Sequence, residues 1–359
     1  MRRLLPLLLL MMTLIIPLSA QDIQDDFDAL LSDYAPADGP AVVVQVTTPD
    51  GTWTATTGLA DGVRPTAPDD RFRIASMSKT YVSVVALMLV EDGVFALDDL
   101  ASDWLPADVV ENIANADVVT IRQLLAMRSG IDDYLGTEAF FNAILANMSY
   151  EWTAEEAITY VYGLPALFAP DEEFYYSNSN YILLQLILEN ASGMTLAQLV
   201  RERILDPLGL ENTYTQIFET HPEGFVYGYE DIDGDGEDEN VSDINDGAGL
   251  GDGALVSNTA DITTFYQALL ADQTLLGEEM MAELLTFSAD DEGDGYSLGL
   301  GEWETDFGVA WGHSGAVLGF LSLGVYLPDS DITIIALSAS YDVDLESLVN
   351  DVASLVLGE

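Results

Sequence analysis

The amino-acid sequence predicts an α/β fold of the α+β type, with a sheet lobe and a helical lobe. Strand-like segments lie near both ends of the chain, whereas helical patterns dominate the residues between them. An antiparallel sheet built from both termini, with flanking helices, accounts for this order. No Pro/Ser-rich linker or internal repeat divides residues 21–359. We therefore expect one unit, with a sheet lobe at about 21–75 and 250–359 and a mainly helical lobe at about 76–249.

The predicted elements follow one another in a simple order. The segment "AVVVQVTTPDGTWTATTG" predicts two strands joined by a Pro-Asp-Gly turn. From Ser76 the pattern turns helical, and the apolar run from Tyr81 to Val90 predicts a buried helix that ends at Gly93. Further helices are predicted at "TIRQLLAM", "TAEEAITYVYGL", "SNYILLQLILENASG", "TLAQLVRERILDPLG" and "TADITTFYQALLAD". Two strands, "FLSLGVYLP" and "DITIIALSAS", then flank a turn at Pro328 and precede a last helix near "LESLVNDVASLVL".

The first twenty residues resemble an export signal. Arg2 and Arg3 form a basic start, "LLPLLLLMMTLIIPL" an apolar core, and "LSA" before Gln21 a cleavage site. The apolar run contains two prolines and is short for a membrane span, so we expect a cleaved signal peptide (1–20) and no stable span afterwards. An uncleaved N-terminal anchor is the alternative. The protein is accordingly expected to be secreted or periplasmic.

The balance of charge restricts the possible partners. The chain carries a formal net charge of −52, and Lys79 is the single lysine among its 10 basic residues. A surface this acidic repels nucleic acid and anionic membranes, so neither is expected as a partner. The composition is typical of proteins adapted to high salt, where ions screen the self-repulsion. A general acidic bias without a functional role explains it equally well.

Lys79 lies three residues after Ser76, at the start of the helix that is predicted to be buried. At this spacing two helical side chains share a face and can touch. Burial lowers the pKa of a lysine, and a neutral amine beside a hydroxyl can take its proton and create a nucleophile. Free N–H groups at the helix N-terminus favour the negative charge that results. A surface lysine beside a capping serine is the alternative, but the apolar residues that follow argue against it.

Two later segments carry further candidates. Tyr176 and Asn178 precede an apolar helix in "FYYSNSNYILLQLILENASG". A tyrosine hydroxyl can relay protons, and an asparagine amide can hold a substrate carbonyl. In "WGHSGAVLGF", His313, Ser314 and Gly315 lead into the C-terminal strands, and the glycine lets a substrate approach the backbone. Taken singly, each segment is as readily explained by packing and capping. A functional interpretation therefore depends on the order in which the segments occur along the chain.

The ordered set resembles the motifs of the serine β-lactamase and penicillin-binding protein superfamily, in particular the branch of class C β-lactamases, D-alanyl-D-alanine carboxypeptidases and related esterases. That superfamily carries Ser-x-x-Lys, Tyr-x-Asn and a Lys/His-x-Gly triplet in this order, which "SMSK", "YSN" and "HSG" match here. The stretches "RFRIASMSKT", "GVFALDDLASDWLP", "TIRQLLAMRSGIDDY", "ILDPLGLENT" and "GAGLGDGALVSNTADI" are also similar to the family. The likeness runs from about Gly39 to Pro328 and implies the β-lactamase/transpeptidase-like fold.

The resemblance implies a role for each matching residue. Ser76 is the nucleophile that becomes acylated, Lys79 accepts its proton, and Tyr176 carries a proton to the leaving group and activates the deacylating water. Whether the lysine or the tyrosine is the first base stays open. The oxyanion hole consists of the backbone N–H groups of Ser76 and Ala316. Arginine cannot replace Lys79 because it does not deprotonate in proteins. Substrate binding falls to Asn178, His313, Ser314, Gly315 and Ala316.

The expected function is that of an exported serine hydrolase that acts on an amide or ester through an acyl-enzyme at Ser76. No organic cofactor is implied, and the partner is a small-molecule or peptide substrate, with cell-wall peptide among the candidates. His313 replaces the lysine of the usual β-lactamase triplet. Within the resemblance, this favours a D-alanyl-D-alanine carboxypeptidase or related peptidase over a family VIII-type esterase or a β-lactamase. The alternative from another class is a non-catalytic protein that binds peptidoglycan or β-lactams on the same scaffold.

One acidic loop, "YEDIDGDGEDENVSD", resembles the opening of a calcium-binding loop. Asp231, Asp233 and Asp235 alternate along the chain and precede Gly236, as in the EF-hand pattern. The twelfth position holds Ser242 where a bidentate glutamate is expected, and no strong helices flank the loop. Two interpretations therefore stand: a structural calcium site, or a solvated acidic loop of the kind that so acidic a chain contains in any case.

Overall fold

The computed structural model describes residues 20–219, 224–232, 234–236, 238–247, 249–290 and 293–358. Thirteen strands and twelve α-helices lie within these ranges. The strands are β1 (Val42–Thr48), β2 (Gly51–Thr57), β3 (Phe72–Arg73), β4 (Tyr214–Thr215), β5 (Tyr229–Glu230), β6 (Glu239–Asn240), β7 (Leu255–Ser257), β8 (Ser288–Ala289), β9 (Gly295–Tyr296), β10 (Gly301–Thr305), β11 (Gly308–Val317), β12 (Phe320–Leu327) and β13 (Ile332–Ser338). The helices are α1 (Ala20–Tyr34), α2 (Ser78–Glu91), α3 (Ala107–Asn112), α4 (Ile121–Leu125), α5 (Glu138–Ala146), α6 (Ala154–Ile158), α7 (Asn178–Ser192), α8 (Leu196–Val200), α9 (Asp206–Leu208), α10 (Thr259–Tyr266), α11 (Glu278–Leu284) and α12 (Leu345–Leu357).

Eight antiparallel strands form the main sheet, in the order β2-β1-β13-β12-β11-β10-β9-β8. The N-terminal hairpin adds to the C-terminal strands through β1 and β13, with Val42 opposite Ser338 and Thr47 opposite Thr333. The Pro-Asp turn of the hairpin places Thr48 opposite Gly51. The prediction of an antiparallel sheet built from both termini is therefore confirmed.

The alternation of side chains along the central strands gives the sheet two buried faces. Val44 of β1 and Ile334 of β13 point to one face, which we call the outer face and which α1 and α12 cover. Val43, the residue before Val44 in β1, and Ile335, the residue after Ile334 in β13, point to the opposite, inner face. There α10 packs against β1 and β13, and the remaining helices build the larger core of the protein.

Helix α2 runs through this larger core and is buried over most of its length, as the apolar run from Tyr81 to Val90 predicts. It contacts α7 and α8 and ends at Glu91, two residues before the predicted end. Its start differs from the prediction, since Ser76 precedes the α-helix. The residues Ala75–Met77 form a short 3-10 turn, and the α-helix begins at Ser78.

Several elements were not predicted from the sequence. Helix α1 and the strands β8 to β11 are among them, and the "HSG" triplet lies within β11 instead of before the C-terminal strands. Of the predicted signal peptide (1–20), all residues but the last lie outside the described part of the chain. In the described ranges no helix combines the length and the apolar character that a membrane span requires. The residue bounds of the two lobes stay a prediction.

Candidate active site

A cavity of about 350 Å³ opens where β11 passes the turn Ala75–Met77. This volume is within the range of small-molecule sites. Its walls bring together seven of the residues predicted for the site: Ser76, Tyr176, Asn178, His313, Ser314, Gly315 and Ala316. Lys79 lies one turn further along, buried behind Ser76.

The local backbone presents Ser76 to this cavity. Ser76 is partly exposed, whereas its neighbours Ala75 and Met77 are buried. Ala75 has a φ of +48°, a left-handed conformation that is rare for residues with a side chain. Such backbone strain costs on the order of 1–3 kcal/mol and persists where the surrounding packing enforces it. The Ser76 side chain is therefore held at the cavity by the packing of its buried neighbours.

The Lys79 ammonium group is fully hydrogen-bonded. Its Nζ donates to Ser76 Oγ at 2.9 Å, to Asn178 Oδ1 at 2.8 Å and to the backbone carbonyl oxygen of Asp252 at 2.7 Å. Burial lowers the pKa of Lys79 from 10.5 to about 8, although the charges of Asp252 and Asp133 act in the opposite direction. A neutral amine is thus accessible close to physiological pH at hydrogen-bond distance from the Ser76 hydroxyl.

Two carboxylates that the sequence analysis did not single out complete this network. Asn178 donates from Nδ2 to Asp133 Oδ2 at 2.9 Å, which turns its amide oxygen toward Lys79. Tyr134 donates its hydroxyl to Asp252 Oδ2 at 2.9 Å. Burial raises the pKa of Asp252 to about 6 and also raises the pKa of Asp133, while the charge of Lys79 opposes both shifts. Asp133 and Asp252 lie in two of the family-like stretches, but 62 acidic residues make an individual acid an uninformative signal.

Tyr176 stands beside the nucleophile. Its ring centroid lies 5.1 Å from Lys79 Nζ, a distance that permits a cation–π contact. Its hydroxyl is buried and has no hydrogen-bond partner of ordinary geometry among the described residues. Burial raises the pKa of this hydroxyl strongly, and the nearby Ser76 side chain offsets part of the increase. Tyr176 is therefore a protonated phenol at neutral pH, with an unused donor close to Ser76.

His313 faces Tyr176 from β11. Its Nδ1 lies 2.5 Å from the Ser314 carbonyl oxygen and therefore carries the hydrogen, so Nε2 accepts from the Tyr296 hydroxyl at 3.2 Å. Burial, with a further contribution from the charge of Lys79, lowers the pKa of His313 to about 4. The imidazole is thus neutral over the physiological range, unlike the lysine that the related triplet usually carries.

Gly315 lets β11 approach the nucleophile. A Cβ atom at this position would lie 2.4 Å from the Ile74 carbonyl oxygen and 3.0 Å from the Ser76 backbone nitrogen, so any side chain would push the strand away. The next residue, Ala316, is exposed in the cavity wall. The expected oxyanion donors of Ser76 and Ala316 therefore belong to two segments that Gly315 allows to lie side by side.

Only part of the acidic loop that was predicted to bind calcium lies within the described residues. The Asp231 carboxylate accepts hydrogen bonds from the backbone N–H groups of Gly234, Asp235 and Gly236, at 2.7, 3.1 and 2.9 Å. In the described part of the chain, no three acidic or histidine side chains are grouped as a metal site. Asp233, one of the three predicted ligands, lies outside the described residues, so the calcium site stays a prediction.

Comparison with known proteins places this geometry in a family. The model of the family described as Beta-lactamase matches residues 27–353. The chain belongs to the β-lactamase family. This confirms the resemblance inferred from the three motifs, and with it membership of a family of serine hydrolases.

Two curated proteins illustrate the similarity of this β-lactamase family chain to known sequences. Penicillin-binding protein 4* of Bacillus subtilis is 29% identical over 328 residues, which cover 82% of this chain and 66% of that protein. The protein flp of Staphylococcus aureus is 31% identical over 147 residues, or 41% of this chain and 28% of that protein. The chain thus spans less than two thirds of the length of these curated relatives.

Solved structures confirm the β-lactamase/transpeptidase-like fold. A D-stereospecific amidohydrolase from Streptomyces sp. superimposes with a TM-score of 0.82 at 27% identity, covering 94% of this chain and 99% of that one. D-amino acid amidase from Ochrobactrum anthropi SV3, solved with D-phenylalanine, gives a TM-score of 0.81 at 22% identity over 94% and 99% of the two chains. The second likeness is informative about the fold alone.

Proposed function

We propose that this protein is a serine hydrolase that cleaves an amide or ester through an acyl-enzyme at Ser76. The observation that carries the proposal is the pairing of Ser76 Oγ with a buried lysine Nζ at 2.9 Å. A general base works best when its pKa lies near the working pH. Burial brings the pKa of Lys79 to about 8, which meets this condition.

In the first half of the reaction, Lys79 Nζ takes the proton of the Ser76 hydroxyl as Oγ attacks the substrate carbonyl carbon. The geometry favours Lys79 over Tyr176 as this base, because burial raises the pKa of the Tyr176 hydroxyl and keeps it protonated. The negative charge on the carbonyl oxygen is stabilised by the backbone N–H groups of Ser76 and Ala316. Collapse of this intermediate breaks the bond to the leaving group, which receives a proton from the Tyr176 hydroxyl, and Lys79 reprotonates Tyr176.

In the second half, water attacks the acyl carbon and gives its proton to the same pair of groups. The bond to Ser76 Oγ breaks, the acid is released, and the serine recovers its proton. Asn178 holds Lys79 in place through its amide oxygen, since its own Nδ2 is fixed by Asp133. His313 and Ser314 line the cavity beside the substrate.

The substrate within this class is a separate proposal. A peptidase or amidase is supported by the neutral His313 in place of the lysine and by the names of two relatives, a penicillin-binding protein and an amidohydrolase. A D-alanyl-D-alanine carboxypeptidase-like activity belongs to this group, with an esterase or β-lactamase as alternatives. Action outside the cytoplasm follows from the signal-like residues 1–20. A non-catalytic binding protein is disfavoured because the whole Ser76–Lys79–Tyr176 set is present, with Ser76 and Tyr176 at the cavity wall and Lys79 buried behind them.

A fluorophosphonate tests the nucleophile directly. Ser76 Oγ attacks the phosphorus, an O–P bond forms as the P–F bond breaks, and fluoride leaves. Intact-mass spectrometry should show one adduct per chain, located at Ser76 by peptide mapping. Ser76→Ala should give no adduct, with Ser78→Ala as the matched control for a neighbouring serine that lies outside the cavity wall. Wild-type protein that is folded by circular dichroism but stays unlabelled would exclude the proposed function.

A further inference from the structure

The charges around the cavity point to the kind of substrate it takes. Two cationic side chains, Arg73 and Lys79, lie in or directly behind its walls. Three carboxylates accompany them: Asp246 and Asp252 line the cavity, and Asp133 supports the lining residue Asn178. The local balance is therefore negative, inside a chain whose net charge is −52.

The cations in this group are already hydrogen-bonded within the protein. Lys79 uses all three of its donors within the protein, one of them on the nucleophile. Arg73 is buried, and each of its side-chain nitrogens already donates: Nε to Gln216 Oε1, Nη1 to the Ile244 carbonyl oxygen and Nη2 to the Ser242 carbonyl oxygen. His313 adds no charge, because burial lowers its pKa to about 4. A carboxylate near the scissile bond would thus meet, among the described lining residues, only positive groups that already bond within the protein.

Asp246 differs from these groups, because one of its two carboxylate oxygens has no hydrogen-bond partner among the described residues. One of its carboxylate oxygens accepts from the Leu318 backbone nitrogen at 3.2 Å, and the other is buried without a hydrogen-bond partner among the described residues. Burial raises the pKa of Asp246, and the charge of Arg73 opposes this shift. The oxygen without a hydrogen-bond partner still costs free energy, which a cationic group bound in the cavity would recover. Asp252 also has one carboxylate oxygen without a hydrogen-bond partner among the described residues. Its other carboxylate oxygen, however, accepts from the Tyr134 hydroxyl, and its backbone carbonyl oxygen accepts from Lys79.

We propose that the substrate carries a free amine close to the reacting carbonyl, as amino acid amides, amino acid esters and peptides with a free N-terminus do, and that Asp246 holds its ammonium group. The proposal rests on the acyl-enzyme function described above and narrows its substrate class. It also sets this class apart from the substrates of a carboxypeptidase, which offer a carboxylate beside the scissile bond.

The test measures how well three matched compounds protect Ser76 from the fluorophosphonate at pH 7. Alaninamide, N-acetylalaninamide and N-succinylalaninamide present a cation, a neutral group and an anion at the same position, and both enantiomers of each are used. Hydrogen bonds to charged groups contribute enough to change binding by about 10- to 100-fold. We expect alaninamide to protect at a concentration lower than N-acetylalaninamide by at least about 10-fold, and the succinyl compound to protect least.

Asp246→Asn should bring the ratio between alaninamide and N-acetylalaninamide close to one. Asp50→Asn removes the same charge from the exposed turn between β1 and β2, so it should leave the ratio as in the wild type. Should Asp246→Asn fail to fold, wild-type protection at about pH 9.5, where the α-amine is neutral, must lose the preference instead.

Each outcome is decisive. Equal protection by the three compounds, no protection by any of them, or strongest protection by the succinyl compound overturns the proposal. A preference that persists in Asp246→Asn overturns the assignment to Asp246. In all of these cases labelling of Ser76 still occurs and the proposed hydrolase function stands, whereas absence of labelling in wild-type protein removes the function itself.

Discussion

The two faces of the main sheet are built from different kinds of residue. On the outer face, α1 and α12 cover a core of aliphatic and aromatic side chains that includes Val44, Ile334 and Leu348. On the inner face, the core is also buried, yet it encloses the ionisable groups of Lys79 and Asp252. Burying apolar surface stabilises the fold, whereas burying a charge or an unpaired polar group costs free energy. The comparison indicates that burial on the outer face serves stability alone, whereas the inner face, which holds the larger core, gives up part of its stability to hold reactive groups.

The largest effect should come from Lys79→Arg. This change keeps a cation but removes the proton acceptor, because arginine stays protonated. Loss of a positioned general base lowers rates by about 10²–10⁴-fold. Timed labelling with the fluorophosphonate, read by intact mass, should slow by this factor while circular dichroism shows an unchanged fold. Arg203→Lys, at a surface ion pair with Asp92, is the control and should label at the wild-type rate. Wild-type labelling by Lys79→Arg would show that the lysine is structural.

Tyr176→Phe should separate the catalytic role of the inner face from its contribution to stability. The variant loses the proton donor for the leaving group, so turnover of an amide should fall by about 10²-fold or more. It also removes a buried hydroxyl that has no partner in the described structure, so the free energy of unfolding should stay constant or rise by about 1 kcal/mol. Steady-state kinetics and urea denaturation measure both quantities. A clear loss of stability would mean that the hydroxyl makes a structural hydrogen bond.

On the outer face the expectation is reversed. Leu348→Ala opens a cavity in a fully buried position of α12 and should lower the free energy of unfolding by about 2–5 kcal/mol. The activity per folded molecule should remain unchanged, because no element of the outer face reaches Ser76. Denaturation curves combined with active-site titration test both parts. A fall in kcat/KM at full folding would show that the two faces are coupled.

The pH dependence of kcat/KM should reflect the protonation of Lys79, which lies on the inner face. The pKa of Lys79 is lowered to about 8, and the base must be neutral to act, so kcat/KM should rise by about tenfold per pH unit below pH 8 and level off above it. His313, with a pKa of about 4, contributes no change in this range. Rates from pH 5.5 to 9.5 on a substrate without an ionisable group provide the measurement. A flat profile would mean that Lys79 is not the base.

Salt should have the smallest effect and act on neither face in particular. The net charge of −52 lies mostly on the surface, where its repulsion is screened by ions. The melting temperature should therefore rise between low salt and molar sodium chloride. Potassium chloride at the same concentrations serves as the control for a specific effect of sodium. A flat or falling curve would argue for an acidic bias without a role in stability.

The features that the sequence predicts well are those in which a residue type is locally informative. The run of β-branched residues from Val42 to Val44, followed by Val46, marks β1, and the single lysine marks the start of α2. The spacing of Phe27, Leu31 and Tyr34 is also helical and could have predicted α1. These patterns arise from local geometry and burial, and they do not depend on distant partners.

The missed features depend on contacts between distant segments. Strands β10 and β11 contain several glycines, among them Gly312 and Gly315, and these glycines weaken the strand pattern of the sequence. β11 is placed by its pairing with β12, and β10 by its pairing with β11. Asp133 and Asp252 become significant only because folding brings them to Lys79, over 50 residues or more of chain. Sequence alone cannot distinguish them among so many acids.

The position of β13 in the sheet has a consequence for the time course of folding. β13 lies between β1 and β12, so the N-terminal hairpin has no neighbour in the main sheet until the residues of β13 have been synthesised. Between the synthesis of β1 and of β13 lie nearly 300 residues, which a ribosome translates in roughly 15 to 60 s at about 5–20 residues per second. During this interval the hairpin has no partner strand in the main sheet, so the order of the strands delays completion of the sheet until β13 has been synthesised.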